Sequence, residues 1–101
     1  MAGISDVLKK YVESTTKLIV DKPDEAVVTI SVSTKAVIVQ IKVHNSDCGK
    51  IIGKKGRTIE SLKTLCLAIK NTQFSQDQRT VFLEVLEDED SQHRFNKNRE
   101  E

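Results

Sequence analysis

The sequence predicts an α+β fold in which three helices cover one face of a three-stranded mixed sheet. Three observations lead to this prediction. The N-terminal region carries an amphipathic helical stripe, three later segments alternate apolar and polar residues, and a glycine pair separates two helical patterns. The predicted element order is α-β-β-α-α-β. Three strands and three helices in this order can form two layers around one core.

The first predicted element is a helix near the N-terminus. Ser5 can cap its start, and the segment Asp21-Lys22-Pro23-Asp24 ends it, because proline disfavours helical backbone in the residue before it. Its apolar residues recur at helical spacing, and we expect this stripe to pack in the core. The stripe consists of Ile4, Val7, Leu8, Tyr11, Val12, Thr15, Leu18 and Ile19.

Two strands follow the helix and are joined by a short polar turn, Ser33-Thr34-Lys35. Both are rich in β-branched residues, which suit a pleated surface. A third alternating segment lies nearer the C-terminus and completes the predicted sheet. The alternation places these residues on one face: Val28, Ile30 and Val32, then Val37, Val39, Ile41 and Val43, then Val81, Leu83 and Val85.

Between the second and third strands the pattern is helical and is interrupted by glycines. Asn45 or Ser46 can cap a short helix that runs to about Ile52. The segment from Gly53 to Gly56 breaks this helix, and Asn71 to Gln78 is predicted to be a polar loop. The second helix begins near Gly56 and carries its apolar residues at helical spacing: Ile59, Leu62, Leu65, Cys66 and Ile69.

Length and composition predict one domain, residues 1–86, followed by a charged tail, residues 87–101. Phe95 is the only large apolar residue of the tail, so the tail buries too little surface to offset ordering, and we expect it to be solvated and mobile. No apolar run approaches the ~18 residues of a membrane helix. The N-terminus lacks the pattern of a signal peptide, so we expect a cytoplasmic protein without a membrane association.

Charge and cysteine content exclude further classes of protein. Cys48 and Cys66 match no zinc spacing and predict reduced thiols, at least one of them in the core. The net charge is only +1, but the region from Lys42 to Lys63 is locally basic. That region contains two acids, Asp47 and Glu60, against these basic residues: Lys42, Lys50, Lys54, Lys55, Arg57 and Lys63. A locally basic surface on a nearly neutral chain fits modest, salt-sensitive nucleic-acid binding.

The loop Gly53-Lys54-Lys55-Gly56 is where we expect the function. Its glycines permit positive φ angles and close approach of a ligand backbone. The N–H groups and dipole at the start of the following helix favour phosphate. Lysines at the tip add positive charge, and Lys50 and Arg57 extend it. A narrow apolar floor for bases is expected from Ile52 and Ile59, with Val43 as a further candidate.

Two other phosphate-binding motifs do not fit this segment. A Walker loop has four residues between its glycines, whereas Gly49 and Gly53 are separated by three, and Lys55 stands where Ser or Thr is required. A dinucleotide fingerprint requires a glycine where Ile51 stands. For the loop taken alone, a plain turn with solvent-exposed lysines remains an alternative.

The segment from Ile52 to Ile59 resembles the I-G-x-x-G-x-x-I signature of KH domains, and the element order resembles the type II KH fold from Ile4 to Leu86. The runs from Ile19 to Glu25 and from Gly49 to Arg57 are similar to those of small bacterial stand-alone KH proteins. The resemblance implies RNA binding in a groove beside the helices, bounded on its other side by a strand and a variable loop. Residues Asn71 to Gln78 are one candidate for that variable loop.

The subfamily resemblance also implies self-association and pairing with a larger Jag-type KH protein. It further implies a role in the cell envelope and division, including cell shape and cell-wall biogenesis, as a post-transcriptional regulator or RNA chaperone. The chain continues beyond the last predicted strand, where members of the subfamily usually end. For this extension, a segment that folds on contact with a partner is one alternative, and acids that compete with RNA for the basic loop are another.

We therefore predict a non-enzymatic protein that binds single-stranded RNA, as a homodimer or a heterodimer, without a metal or cofactor. His44 and Cys48 are close in sequence but lack the further groups that a catalytic or metal site needs. A protein-interaction adaptor with a KH fold and a weak or vestigial RNA groove is the alternative, since net charge and aromatic content are low. The predicted RNA-binding residues are Lys50, Ile52, Gly53, Lys54, Lys55, Gly56, Arg57 and Ile59.

Overall fold

The structure, a computed structural model, describes residues 3–86 and has the predicted order of helices and strands. The proposed tail, residues 87–101, lies outside the described residues. The helices are α1 (Ile4–Ile19), α2 (Cys48–Ile52) and α3 (Arg57–Gln73), and the strands are β1 (Val27–Val32), β2 (Ala36–Lys42) and β3 (Thr80–Leu86). Short 3-10 turns occupy Pro23–Glu25, Asn45–Asp47 and Lys54–Gly56.

The three strands form a mixed sheet, as predicted, and their order in the sheet is β1-β2-β3. β1 is antiparallel to β2, and Ser33 N–H donates to Ala36 O (2.8 Å) in the turn between them. β3 is parallel to β2, so the chain crosses from one to the other through α2 and α3. Lys42 lies opposite Leu86 in the register, and the C-terminal ends of β2 and β3 therefore lie side by side at the same end of the sheet.

The core lies between the sheet and the helices. Leu8 and Val12 of α1 are fully buried against the β-branched residues of the sheet. The predicted alternation is confirmed by the fully buried side chains on all three strands: Val28, Val37, Val39, Ile41 and Val81, of which Val28 is 1% exposed and the others 0%. Cys48 and Cys66 are both buried and are not joined in a disulfide, and burial raises the pKa of the Cys66 thiol to about 11.

The predicted start and apolar stripe of α1 are each wrong at one residue. The helix begins at Ile4 with Gly3 as its cap, so Ser5 lies inside the first turn and forms no cap. Leu18 is 87% exposed, whereas Thr16 is fully buried. The buried line follows steps of four residues from Ile4 through Leu8 and Val12 to Thr16, and this geometry turns Leu18 away from the sheet.

Two predictions on the crossover between β2 and β3 are also wrong. Neither Asn45 nor Ser46 caps α2, because a 3-10 turn precedes that helix, and the His44 ring accepts a hydrogen bond from Ser46 N–H there. The polar loop begins at Phe74 rather than Asn71, since α3 continues to Gln73 through residues that include no glycine or proline. Within residues 3–86, no helix has the length and apolar character needed to cross a membrane.

Candidate nucleic-acid interface

The loop between α2 and α3 has an unusual backbone at three of its four residues. Gly53 has φ 78° and ψ 172°, Lys55 has φ 57° and ψ 26°, and Gly56 has φ 75° and ψ 14°. The Gly56 N–H donates to Gly53 O at 3.1 Å and closes the turn. In the described part of the chain, Lys55 is the only residue other than glycine with positive φ, a conformation that costs roughly 1–2 kcal/mol.

The two glycines of the loop are required for different reasons. A Cβ atom on Gly53 would lie 2.7 Å from Cβ and 2.8 Å from the backbone N of Thr58, and the φ and ψ angles of Gly53 are accessible almost only to glycine. A Cβ atom on Gly56 would meet nothing within 4 Å. Gly53 is therefore held by steric contact with Thr58 and by its conformation, and Gly56 by its conformation alone.

Gly53→Ala is expected to lower the free energy of unfolding by at least about 2 kcal/mol, and Gly56→Ala by about 1 kcal/mol. The difference arises because Gly53→Ala pushes a new Cβ into Thr58 and forces alanine into backbone angles that are almost restricted to glycine, whereas Gly56→Ala requires only a left-handed helical backbone. Urea unfolding of the two variants measures it, with Gly56→Ala as the matched control. Equal losses would show that the contact with Thr58 does not constrain the loop.

Backbone N–H groups at the tip of the loop are available to an anion. The N–H groups of Gly53 and Gly56 donate within the loop and its flanks, to Gly49 O at 2.8 Å and to Gly53 O at 3.1 Å. No acceptor is found among residues 3–86 for the N–H groups of Lys54 and Lys55. The loop is followed directly by the long helix α3, so the helix dipole adds positive potential at the same place.

The predicted cations of the site fall into two groups. Lys54, Lys55 and Arg57 are exposed, and none has an acidic partner within residues 3–86. The Nζ atom of Lys50 instead lies 2.8 Å from Asp21 Oδ2 and 4.0 Å from Asp47 Oδ1. The hydrogen bond and charge of Asp21, followed by the charge of Asp47, raise the pKa of Lys50. A phosphate at Lys50 would have to compete with Asp21, so a direct role for this lysine stays a prediction.

The isoleucines around the loop differ in how much surface they offer. Ile51 is fully buried and Ile52 is 9% exposed, so both anchor α2 to the core. Val43 is also buried, whereas Ile59 on α3 is half-buried. The predicted apolar floor for bases therefore rests more on Ile59 than on Ile52 or Val43, whose side chains are buried.

The outer face of α3 continues from the loop as a shallow depression. It begins at Arg57, and its other lining residues occupy the next two turns of the same helix: Glu60, Ser61, Thr64 and Leu65. Leu65, which was predicted on the apolar side of this helix, is 51% exposed. Phe82 on β3 is 47% exposed, and the Lys63 Nζ lies 5.9 Å from the centre of its ring. Strand alternation predicts that Phe82 faces outward. No pattern in the sequence predicts that its ring lies near Lys63 of α3.

Asp47 fixes the start of α2 and was missed as a positioning residue. Its carboxylate is fully buried and accepts the N–H groups of Asp21 (3.1 Å) and Lys22 (3.0 Å). Burial by itself raises the pKa of Asp47, but these two donors, with Lys50 nearby, outweigh it and hold the pKa below its usual value. Asp47 is 26 positions from Asp21 and 25 positions from Lys22 in the sequence, so no local pattern reveals these two hydrogen bonds.

His44 and Cys48 lie in different surroundings. The His44 Nδ1 atom is 2.8 Å from Ser46 Oγ, and its Nε2 atom is 3.4 Å from Lys22 Nζ. The Cys48 thiol is buried and lies 3.9 Å from the backbone carbonyl oxygen of His44. Among the described residues, no group of three or more histidine, cysteine, aspartate or glutamate side chains is arranged to hold a metal ion.

A family model described as "KhpA/KhpB, KH domain" matches residues 9–85. The "RNA-binding protein KhpA" of Chlamydia trachomatis serovar D is 36% identical over 81 residues, which are 80% of this chain and 99% of that protein. The protein of the same name from Aquifex aeolicus is 38% identical over 80 residues, 79% of this chain and 96% of that protein. The protein of that name from Borreliella burgdorferi is 36% identical over 81 residues, which are 77% of this chain and 90% of that protein.

Proposed function

Because this chain belongs to the KhpA/KhpB KH-domain family, we propose that it binds single-stranded RNA and holds the RNA backbone with the Gly53–Gly56 loop. The observation that carries the proposal is the turn itself, which presents two tip N–H groups beside three exposed cations. KH loops of this type clamp nucleic-acid backbones. The relatives' name, RNA-binding protein, supports the class of ligand.

In this proposal the loop supplies affinity and its neighbours supply any sequence preference. Phosphate contacts position a strand but do not read its bases. Bases beyond the clamped phosphates would lie along α3, where Ile59 offers a partly exposed apolar surface. Sequence preference would then arise from contacts to base edges in that region.

Fluorescence anisotropy with a labelled single-stranded RNA of mixed sequence tests the proposal. We expect a dissociation constant of the order of micromolar, because one small module makes few contacts. Three phosphate contacts at about −0.7 each predict a salt slope of about −2 for log K against log salt. A duplex RNA of the same sequence should bind more weakly, since its bases are not splayed out. Equal or better binding of the duplex would contradict a single-strand clamp.

The cellular role is a more detailed part of the proposal. We place the protein in the cytoplasm, where it would meet RNA, as a post-transcriptional regulator or RNA chaperone. A link to the cell envelope and division is supported only by the resemblance to the small bacterial KH proteins. Crosslinking in cells, followed by sequencing of the recovered RNA, would show whether the bound transcripts belong to the cell envelope and division.

Association with a second KH protein is supported by exposed apolar side chains. Leu18 is 87% and Leu65 51% exposed, on α1 and α3 respectively. We therefore keep the homodimer, and the heterodimer with a larger Jag-type KH protein, as proposals. Sedimentation velocity over a range of concentrations distinguishes a dimer from a monomer. Association without any RNA binding would favour the adaptor alternative instead.

A further inference from the structure

The chain continues directly after β3 with four consecutive acidic residues, Glu87-Asp88-Glu89-Asp90. The family model matches residues 9–85, so this acidic run lies beyond what the chain shares with it. Four negative charges would oppose the binding of RNA wherever they lie close to the phosphates. The size of this effect therefore depends on how close the end of β3 lies to the loop.

The topology of the crossover brings the end of β3 and the loop to the same end of the sheet. β3 is parallel to β2, and Leu86 lies opposite Lys42, at the separation of neighbouring strands, about 4.8 Å. After Lys42 the chain passes the end of the sheet and forms α2, which contacts β3 directly. Gly53 follows the last residue of α2. Leu86, the residue that precedes the acidic run in sequence, therefore ends a strand that contacts the helix leading to the loop.

A short acidic segment is long enough to span the helix that leads to the loop. The five residues of α2 measure about 7.5 Å at 1.5 Å per residue. Four residues in extended conformation measure up to about 14 Å. The length of the acidic run is therefore no obstacle to a contact with the loop.

The charges of the loop are complementary to the acidic run. Lys50 is paired with Asp21, and Arg79 is paired with Asp77, where the hydrogen bonds and charge of Arg79 lower the pKa of Asp77 to about 2. The loop cations, Lys54, Lys55 and Arg57, have no such partner among residues 3–86. The N-terminus of α3 attracts carboxylates for the same reason that it attracts phosphate.

We propose that the acidic run Glu87–Asp90 docks on the Gly53–Gly56 loop and competes there with RNA phosphates. The inference rests on the proposed RNA-binding function of that loop. A segment tethered so close acts at a high effective concentration, so RNA must displace it to bind. The docked run lowers the apparent affinity of every RNA that binds at the loop by the same factor. It also flattens the salt dependence, because salt weakens the docked acids and the bound phosphates together.

The test compares the full-length protein with two variants of equal charge change. The first, E87Q/D88N/E89Q/D90N, neutralises the acidic run. The second, D6N/E13Q/D24N/E25Q, neutralises four acids on α1 and the 3-10 turn that follows it. At low salt we expect the first variant to bind single-stranded RNA about fivefold more tightly than the unmodified protein, with a steeper salt slope. The second variant should stay within about twofold.

Zero-length crosslinking with a carbodiimide tests the contact itself. In the unmodified protein without RNA, peptide mapping should find carboxylates of residues 87–90 joined to Lys54 or Lys55, and added RNA should suppress these links. Equal RNA affinity of all three proteins would overturn the docking and leave the proposed function standing. An equal gain in both variants would also overturn it, as an effect of net charge. Absence of RNA binding by all three would overturn the proposed function and the competition with it.

Discussion

Lys54→Asp combined with Lys55→Asp is expected to weaken the binding of single-stranded RNA at least about 30-fold while the fold stays intact. The two substitutions replace attraction to the backbone phosphates by repulsion at the tip of the loop. Both side chains are exposed and have no ion-pair partner within residues 3–86, so their loss costs the folded state little. Anisotropy gives the affinity, and the salt slope should become shallower by about 1.4, the share of two contacts.

A matched control separates this local effect from net charge. Lys9→Asp combined with Lys10→Asp changes the charge by the same amount on α1, where both lysines are exposed. The control should lose no more than about threefold in affinity at moderate salt, because distant charges are screened. Circular dichroism and melting confirm that each variant is folded. Equal losses in the two variants would show that the loop is not the phosphate site.

Asp47→Ala is expected to lower the free energy of unfolding by about 3 kcal/mol, at roughly 1.5 kcal/mol for each hydrogen bond to the charged carboxylate. The substitution leaves the N–H groups of Asp21 and Lys22 without their acceptor and opens a gap beneath α2. For a domain of this size we expect the melting temperature to fall by about 15 °C. Differential scanning calorimetry or urea unfolding measures the loss.

Asp47→Asn is the control for shape, since it keeps the volume and removes the charge. Its amide NH2 must face one of the two backbone donors, so we expect it to lose at least half as much stability as the alanine variant. The pKa of Asp47 is depressed in the folded state, so its contribution is present above the unfolded value, near 3.8, and is lost as pH falls through the folded value. The gap between the unmodified protein and the asparagine variant should therefore narrow below about pH 4. A gap that is zero at pH 7 would contradict the anchoring role.

The order of elements was predictable because it depends on local patterns, and the mixed sheet follows from that order, since a hairpin pairs strands antiparallel and a helical crossover pairs them parallel. The alternation at Val37, Val39 and Ile41 marks a half-buried strand, and the two glycines of the loop mark the break between helices. The ends of helices were less predictable. Ser5 and Asn45 have the chemistry of caps, but the packing of α1 and the 3-10 turn before α2 set the actual boundaries.

The composition of the candidate site was predictable, but the pairing of its charges was not. Nothing near Lys50 in sequence shows that Asp21 neutralises it, because that contact joins residues 29 positions apart. Asp47 was counted simply as one acid in a basic region. The positive φ of Lys55 was likewise invisible, since only the glycines announce left-handed backbone. Long-range contacts and strained residues are the features that local patterns do not encode.

Photocrosslinking of a single-stranded RNA containing 4-thiouridine, followed by peptide mapping, tests the central claim most directly. It requires no substitution and reports where RNA lies on the protein as it exists. If the Gly53–Gly56 loop holds the RNA, the dominant crosslinked peptides should cover the loop and the first turns of α3, with little elsewhere. Crosslinks concentrated on α1 or on the face of the sheet away from the helices, with the loop unmodified, would contradict the account.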